Sequence, residues 1–438
     1  MDRRGFLTRT GLTFAASALA AAASPSYGLT AISSAHGATL DTPDGGLRAH
    51  AAALDTWDAV RALFALSREY LHFGGLYLAS HPAPVREAID THRRGLDENP
   101  VLYLRQQGPG AEAAVLRAAA SYLGASPTDI ALTDSTTMGL GLLYHGLGLR
   151  PGQETLTTTH DFFATHEALQ TSAARSGASV RRVRLYQQLA TVSADEIVQT
   201  LISAVTPSTR IVAVTWVHSS TGLKLPIRQI ADALAIVNRD RSDADRALLC
   251  VDGVHGFGAE DVTVGDLGAD FLVAGCHKWM LGPRGTGLVW GDPRSWPAAT
   301  PTIPSFSSSG SPASAMTPGG FHSFEHRWAL DRAFALHLEI GKARITARIA
   351  ELNSQIKDGL AGMSHVTLHT PRDPSLSAGL VCFEVAGLAP DAVVDRLRAQ
   401  RIIATTTPYS PSYARLAAGI FNTPDEVETV LREVRALA

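Results

Sequence analysis

Apolar and polar positions follow two alternating patterns through the middle of the chain. Between residues 82 and 291, short apolar runs rich in Val, Leu and Ile are separated by longer stretches with apolar positions at helical spacing. The short runs predict buried strands, and the longer stretches predict amphipathic helices. Strands and helices that alternate in this way predict an α/β domain with a mainly parallel sheet flanked by helices. We expect its strands in "DIALTDSTT", "QETLTTTH", "SVRRVRLY", "TRIVAVTWVHSSTG", "ALLCVDGVHGFG" and "ADFLVAGCHK".

The pattern changes on both sides of this domain. Residues 54–105 have helical spacing, which "GGLYLAS" interrupts with a predicted short strand. Pro, Ser and Gly dominate residues 292–320, which predict a long loop of the kind that is usually functional or mobile. Residues 321–438 begin with one long predicted helix and continue as a smaller α+β domain. We also expect residues 39–81 to pack on this small domain.

Residues 1–38 differ in kind from the rest of the chain. Arg3 and Arg4 precede a mildly apolar run rich in Ala, and small residues follow it. This order is typical of an export signal, and the paired arginines resemble the twin-arginine type, which carries folded proteins. The run is too short to span a membrane, which takes roughly 20 strongly apolar residues. We expect an exported, periplasmic protein with no membrane partner in its mature form, the alternative being an ordinary amphipathic helix.

The composition of the chain argues against several kinds of binding partner. The chain has 438 residues, of which 45% are hydrophobic and 18% charged, and its formal net charge is −3. A chain of this charge without a long basic run predicts no binding to nucleic acid. The three cysteines are an odd number without paired spacing, so the sequence indicates neither a disulfide framework nor a metal site.

Polar residues follow the ends of five predicted strands, where ligands gather in parallel α/β sheets. Hydroxyls directly before a helix predict an anion site fit for a phosphate, although one of them could simply cap the helix. The polar residues are Ser135, Thr136 and Thr137 after the first strand, then His160, Ser219, Asp252 with His255, and His277 with Lys278.

Asp252 and Lys278 end two neighbouring apolar strands. A buried carboxylate needs a cationic partner, and a partly desolvated lysine can form a Schiff base. Together they are what a protein supplies to pyridoxal phosphate. Lys278 could instead be a surface charge or belong to a nucleotide loop at "GPRGTG". A lone glycine cluster without a following helix is weak support for the latter, and "LVWG" after it predicts a strand.

These segments resemble a known family. "VDGVHGFG" and "DFLVAGCHKWMLGPRGTGLVWG" resemble the cofactor segment of fold-type I pyridoxal phosphate enzymes of the aminotransferase class V family. "LDENPVLYLRQ", "TTTHDFFATHEAL" and "CHKWMLGPRGTG" resemble the isopenicillin N epimerase-like branch more than the related cysteine desulfurases. The resemblance runs from about residue 76 to the C-terminus. It implies the fold-type I architecture, pyridoxal 5′-phosphate as cofactor, and a homodimer.

The resemblance also implies roles for individual residues. Lys278 would hold the cofactor and move a proton at the substrate's α-carbon, and Asp252 would pair with the pyridine nitrogen. His160 would stack on the ring, and Arg415 would bind the substrate's α-carboxylate, which suits bidentate guanidinium geometry. The remaining implied cofactor contacts are His255 and Ser219 near the ring oxygen, and the turn at Ser135, Thr136 and Thr137 together with His277 at the phosphate.

Three departures from the family pattern stand out. "TTTPYSPSYAR" lacks the nucleophilic cysteine that desulfurases carry before the arginine, which disfavours a persulfide mechanism. Arg327 in "FEHRWAL" replaces a segment that reaches a partner subunit's phosphate in relatives, and it could supply that contact as a charge. Gly275 stands where relatives commonly have a serine, so one phosphate hydroxyl is missing.

The sequence therefore predicts an enzyme that acts at the α-carbon of an amino acid substrate through a Lys278 Schiff base. An epimerase or racemase and a C–S or β-elimination lyase are the leading reaction types, and a class V aminotransferase is the alternative. A cysteine desulfurase and an inactive exported binding protein are less favoured. A dinucleotide-dependent oxidoreductase is disfavoured because no G-x-G-x-x-G follows the first strand.

Overall fold

A computed structural model describes residues 54–306 and 310–438, and the predicted export signal lies outside this range. Its strands are β1 (Leu71–His72), β2 (Ile130–Thr133), β3 (Glu154–Thr158), β4 (Ser179–Val183), β5 (Thr209–Thr215), β6 (Leu248–Asp252), β7 (Phe271–Gly275), β8 (Gly287–Gly291), β9 (Val366–Leu368), β10 (Val381–Val385), β11 (Ile402–Ile403), β12 (Thr405–Thr406) and β13 (Ala414–Leu416). Its helices are α1 (Trp57–Ala62), α2 (Ala83–Glu98), α3 (Pro100–Leu123), α4 (Thr136–Gly146), α5 (Phe163–Ser176), α6 (Ala194–Ser203), α7 (Ile227–Val237), α8 (Val264–Leu267), α9 (Pro312–Met316), α10 (Phe324–Trp328), α11 (Leu330–Ile340), α12 (Lys342–Ala361), α13 (Pro390–Ala399) and α14 (Pro424–Arg435).

A seven-stranded sheet forms the centre of the large domain, in the order β2-β8-β7-β6-β5-β3-β4. Only β8 runs antiparallel to its neighbours, so the sheet is mainly parallel as the sequence predicts. Every residue of β6, β7 and β8 is buried. Strands that are buried on both faces need apolar residues at successive positions, which explains their continuous apolar runs.

Side chains from the two faces of this sheet enter two different apolar cores. In β5, Val212 and Val214 belong to one core, and Ile211 and Ala213 belong to the other. Successive side chains of a strand point to opposite faces, so this division shows that helices cover both faces. The sheet is therefore rigidly held, and its strand ends can position side chains accurately.

The small domain is built on a four-stranded antiparallel sheet in the order β12-β13-β10-β9. Helices α12 and α14 contribute Leu352 and Val430 to its separate apolar core. Phe73, from far upstream, is also buried in this core. The adjoining β1 pairs in parallel with β11, so the start of the described chain is attached to the small domain.

Two predicted elements have a different form in the structure. "GGLYLAS" makes a turn in place of a strand, with the Tyr77 N–H donating to Gly74 O at 3.0 Å. A Cβ at Gly75 would lie 2.7 Å from the Phe421 ring, so close packing requires a glycine at this position. The single long helix predicted after residue 320 is instead three helices, α10, α11 and α12. Gly341, with φ at +96°, separates the last two.

In the described part of the chain, no helix combines the length and apolarity needed to cross a membrane.

Candidate active site

A cavity of about 420 Å³ opens where the carboxyl ends of the central strands meet the loops that follow them. Large apolar side chains, including Tyr77, Leu78 and Leu140, form much of its wall. Eight of the ten side chains predicted from the sequence line it, namely Ser135, Thr136, Thr137, Ser219, Asp252, His255, His277 and Lys278. His160 and Arg415 occupy other positions.

Lys278 lies three residues beyond the end of β7, and its Nζ is 3.0 Å from His255 Nε2. Burial lowers the pKa of Lys278 to about 8, against the opposing effect of the Asp252 carboxylate. Burial also holds the pKa of His255 well below its usual value, so this imidazole is neutral near pH 7. Lys278 is therefore an amine that loses its proton more readily than an ordinary lysine, as a nucleophile or base requires.

Asp252 ends β6, the strand next to β7, and only 2% of its surface is exposed. Its Oδ1 accepts a hydrogen bond of 3.1 Å from Val254 N. Burial raises the pKa of Asp252, because a carboxylate without a close cation is costly to enclose. A cationic ring nitrogen would stabilise the charged form of this carboxylate.

The N-terminus of α4 faces the cavity. Ser135 Oγ caps the helix by accepting from Met138 N at 3.1 Å, and Thr136 Oγ1 accepts from Gly275 N at 2.8 Å. The second bond ties the start of α4 to the end of β7. Free backbone N–H groups and hydroxyls at a helix N-terminus suit a phosphate. Burial lowers the pKa of the adjacent His277 to about 4, so its imidazole is neutral near pH 7.

Close packing explains why residue 275 is a glycine. A Cβ there would lie 3.0 Å from Thr136 Oγ1 and 3.0 Å from the His277 ring. The space that a serine would need is thus occupied by two other groups that face the cavity. Thr136 and His277 therefore leave no room at residue 275 for the serine that the family resemblance would place there.

His160, the residue predicted to stack on the cofactor ring, does not line this cavity. Its ring stacks on Tyr186, with centroids 4.4 Å apart and an angle of 9° between the planes. Phe162, two residues later, is the aromatic side chain of this loop that lines the cavity. Asp161, between them, fixes the loop, because its buried carboxylate accepts from Thr215 N and from two groups of β3. The geometry therefore favours Phe162 as the ring-stacking residue.

Arg415 lies in β13, next to the cavity-lining Ser219, and 3% of its surface is exposed. Its Nε donates to Thr405 Oγ1 at 3.0 Å, Nη1 to Ser219 O at 3.0 Å, and Nη2 to Thr406 O at 3.2 Å. A guanidinium has five N–H groups, so these bonds leave one hydrogen on each Nη. Two such hydrogens match the two oxygens of a carboxylate.

Comparison with known proteins agrees with this site. The family model described as aminotransferase class V matches residues 111–430. The chain belongs to this family. It is 26% identical over 377 residues to isopenicillin N epimerase of Streptomyces clavuligerus, covering 81% of this chain and 92% of that protein. The epimerase of Amycolatopsis lactamdurans is also 26% identical, over 392 residues, with 82% of this chain and 92% of that one covered.

The chain is also similar to proteins that are not named as epimerases. A cysteine desulfurase of Haloferax volcanii is 27% identical over 220 residues, 48% of each chain. Among solved structures, a C-DES mutant with glycine covalently linked to its PLP cofactor has a TM-score of 0.78 at 23% identity, covering 86% of this chain and 98% of that one. A cysteine desulfurase from Thermococcus onnurineus NA1 has a TM-score of 0.75 at 21% identity, covering 87% and 97%. These structures confirm the fold-type I architecture.

As a class V member the protein is a pyridoxal phosphate-dependent enzyme. The residues around the cavity fit this cofactor. Lys278 offers a reactive amine, Asp252 a buried carboxylate in need of a cation, and the start of α4 an anion site. Two buried polar atoms, His255 Nδ1 and Thr215 Oγ1, have no hydrogen-bond partner among the described residues. When bound, pyridoxal phosphate supplies an aldehyde that bonds to amines and a ring that accepts electrons from the α-carbon.

Arg327 is held close to the phosphate turn of its own chain. Its guanidinium is buried and forms an ion pair of 3.0 Å with Asp134, the residue directly before Ser135. This pairing positions the turn that leads into α4. The predicted role of Arg327 toward a partner subunit's phosphate stays a prediction.

Tyr409 was missed by sequence reasoning. Its Oη lies 2.7 Å from Ser219 Oγ, and its ring contacts Phe162 edge to face, with centroids 6.1 Å apart. It occupies the stretch before Arg415 in which desulfurases have their cysteine. The lack of that cysteine is the one feature of the sequence that points to this stretch, and it does not single out Tyr409.

Proposed function

We propose that the protein removes the α-proton of an amino acid substrate and returns a proton to the same carbon, as an epimerase or racemase. The observation that carries this proposal is the position of Lys278, whose amine has a lowered pKa and lies within the cavity beside Asp252 and His255. Such an amine serves as a general base near neutral pH. In this role Lys278 takes the proton from the α-carbon, and inversion follows when a proton returns to the other side of that carbon.

Arg415 supports an amino acid as the substrate. The two Nη hydrogens that its described bonds leave free suit an α-carboxylate. The bond from Nη1 to Ser219 O anchors the guanidinium to the segment that forms the cavity wall. A carboxylate on Arg415 would orient the α-carbon toward Lys278, which raises the chance of proton transfer.

The cysteines argue against a persulfide-forming reaction. Cys250, Cys276 and Cys382 are all buried, and burial raises the pKa of each thiol above its usual value. A nucleophilic cysteine must be exposed and readily ionised. The names of the isopenicillin N epimerase relatives favour proton return at the α-carbon. Elimination at the β-carbon begins with the same proton removal, so a lyase is the second candidate.

The test follows α-protons in deuterated water. Purified protein loaded with pyridoxal phosphate is incubated with the L and D forms of each protein amino acid and examined by proton NMR and chiral chromatography. We expect loss of the α-proton signal and appearance of the opposite enantiomer for at least one amino acid. Release of a keto acid with ammonia would instead indicate a lyase, and an amino donor requirement would indicate an aminotransferase.

Two variants serve as controls. Lys278→Ala is expected to lose both α-proton exchange and the visible absorption band of the lysine-bound cofactor. Lys224→Ala makes the same chemical change at a lysine paired with Glu260, outside the cavity, and should keep both. Wild-type protein that takes up no pyridoxal phosphate, or exchanges no α-proton with any amino acid, would sink the proposal.

We also propose a homodimer. Several large apolar side chains are exposed, including Tyr77 at 70%, Phe163 at 61% and Phe321 at 84%. Phe321 contacts the likewise exposed Phe306, with ring centroids 6.4 Å apart, and contiguous exposed apolar surface often marks a protein interface. Light scattering coupled to size-exclusion chromatography should give twice the chain mass, and a monomer at micromolar concentration would contradict this.

Export by a twin-arginine signal is proposed from the sequence of residues 1–38 alone. Replacing both Arg3 and Arg4 by Lys should retain the protein inside a bacterial host that otherwise exports it. Fractionation of periplasm and cytoplasm with immunoblotting measures this. Equal periplasmic amounts of both forms would refute the signal.

A further inference from the structure

Tyr409 lies directly behind the cavity wall. It belongs to the segment between β12 and β13, and its Oη is 2.7 Å from Ser219 Oγ. Ser219 lines the cavity and is 8% exposed. A phenol hydroxyl therefore contacts a hydroxyl that reaches the substrate space, in a geometry that lets a proton pass along the hydrogen bond.

The order of strands in the sheet shows where Lys278 and Ser219 lie relative to Asp252. Asp252 ends β6, Lys278 follows β7 on one side, and Ser219 follows β5 on the other. Phe162, which the Tyr409 ring contacts, follows β3, one strand further on the β5 side. Along this edge of the sheet, Lys278 and the Ser219–Tyr409 pair thus lie on opposite sides of Asp252.

The charge states of the two groups are complementary. Burial raises the pKa of Tyr409 to about 12, so the phenol holds its proton near neutral pH, whereas burial lowers the pKa of Lys278 to about 8. The hydrogen bond with Ser219 lowers the pKa of this phenol, and Arg415, whose Nη1 donates to Ser219 O, lowers it to a smaller extent. Asp252 and Asp161 act in the opposite direction and favour the return of the proton.

We propose that Ser219 and Tyr409 form a proton relay that serves the α-carbon on the side away from Lys278. Lys278 takes the proton from the α-carbon and becomes an ammonium. The Ser219 Oγ–H bond breaks as its proton goes to the other side of the α-carbon, and Ser219 Oγ takes the Tyr409 proton. The phenolate then regains a proton from solvent as the Lys278 ammonium releases one, so no net proton is gained or lost.

This inference rests on the proposed epimerase or racemase function. Ser219 contacts the substrate in this scheme and is a catalytic residue, whereas Tyr409 acts through it and is a positioning residue. His255 cannot take the role, because its Nε2 already lies on the Lys278 side at 3.0 Å.

The experiment compares Tyr409→Phe with Tyr413→Phe, using the amino acid that exchanges fastest in the NMR screen. Tyr413 lies in the same segment and undergoes the same loss of a hydroxyl, but its ring stacks on His369 away from the cavity. In deuterated water we expect Tyr409→Phe to lose formation of the opposite enantiomer by roughly 100-fold or more, the usual range for a general acid. Deuterium exchange with retention, driven by Lys278, should persist within about threefold. Tyr413→Phe should match wild type.

Binding readouts separate this role from a structural one. Tyr409→Phe should keep the visible spectrum of bound pyridoxal phosphate and the equilibrium dissociation constant for the amino acid, measured from the spectral change on its addition. The kcat for inversion should be lower in Tyr409→Phe than in wild type, and the KM should be unchanged. Ser219→Ala should lose inversion to a similar degree.

The outcomes distinguish the relay from the proposed function. If wild-type protein exchanges no α-proton, the proposed function itself fails. If wild type exchanges the proton but never inverts the α-carbon, or if either Tyr409→Phe or Ser219→Ala inverts it at the wild-type rate, the relay is overturned while Lys278 chemistry stands. A shift of the cofactor spectrum or a weakened dissociation constant in Tyr409→Phe would assign Tyr409 a packing role and also overturn the relay.

Discussion

The ionisation of a single amine should control how fast the apoprotein takes up pyridoxal phosphate. Only a neutral amine attacks an aldehyde, and burial lowers the pKa of Lys278 to about 8. The uptake rate should therefore rise about tenfold per pH unit below pH 8 and level off above it, whereas an ordinary lysine would give a rise continuing to about pH 10. Stopped-flow absorbance between pH 6 and pH 10 measures the profile.

The aromatic contact with the cofactor ring can be assigned by mutation. If Phe162 stacks on the ring, Phe162→Ala should weaken pyridoxal phosphate binding roughly fivefold to tenfold, because an aromatic contact contributes about 1 kcal/mol beyond its buried area. His160→Ala should leave the affinity within about twofold, since His160 stacks on Tyr186. Absorbance titration of both apoproteins decides the matter, and the reverse ranking would restore the role that the sequence suggested for His160.

Sequence alone could place most of the site residues because they end apolar strands. The carboxyl ends of parallel strands share one edge of the sheet, so side chains such as Asp252 and Lys278 had to come together. Phe162 could not be identified in this way, because a phenylalanine after a strand looks like a core residue. Tyr409 is separated from Ser219 by 190 positions and lies in the other domain, so no local pattern connects them.

At the level of elements, the end of β7 packs against the start of α4 at Gly275. The variant Gly275→Ser tests whether this close packing is needed for cofactor binding. Restoring the serine of relatives should weaken pyridoxal phosphate binding by about tenfold, because its Cβ would crowd Thr136 Oγ1 and His277. Gly141→Ser is the matched control, since it lies on α4 with open space around it. Equilibrium titration with the cofactor compares the two. Tighter binding in Gly275→Ser would show that the site does lack a hydroxyl.

The break between α11 and α12 is a helix end that the spacing of apolar residues does not predict. Apolar spacing continues through Gly341, so the sequence predicts one helix, yet the positive φ of this glycine ends the first helix and redirects the second. A residue with a Cβ is strained in this conformation. Gly341→Ala should lower the free energy of unfolding by at least about 1 kcal/mol in urea denaturation. Gly110→Ala, with open space on α3, should not lower it.

At the scale of the whole molecule, the segment from Phe73 to Ala79 contacts both the core of the small domain and one core of the large domain. Phe73 is buried in the small-domain core, Leu76 in a core of the large domain, and Ala79 N donates to His277 O at 3.0 Å. A segment shared by two cores couples their unfolding. We expect one cooperative transition, with tryptophan fluorescence and far-UV circular dichroism giving the same midpoint.

Phe73→Ala tests this coupling. The residue is fully buried, so its truncation should cost about 3–5 kcal/mol of unfolding free energy. Both probes should shift together to lower denaturant. Separate midpoints in the variant would show that the domains unfold independently.

The burial of all three cysteines has a practical consequence for following motion in this protein. No native thiol is available to a maleimide dye in the folded state, because Cys250, Cys276 and Cys382 are each enclosed. A single cysteine introduced at the exposed Ser410 would therefore be the one site that the maleimide dye labels. Because Ser410 adjoins Tyr409, such a label would report, in real time and without any further engineering, whether this segment moves when an amino acid enters.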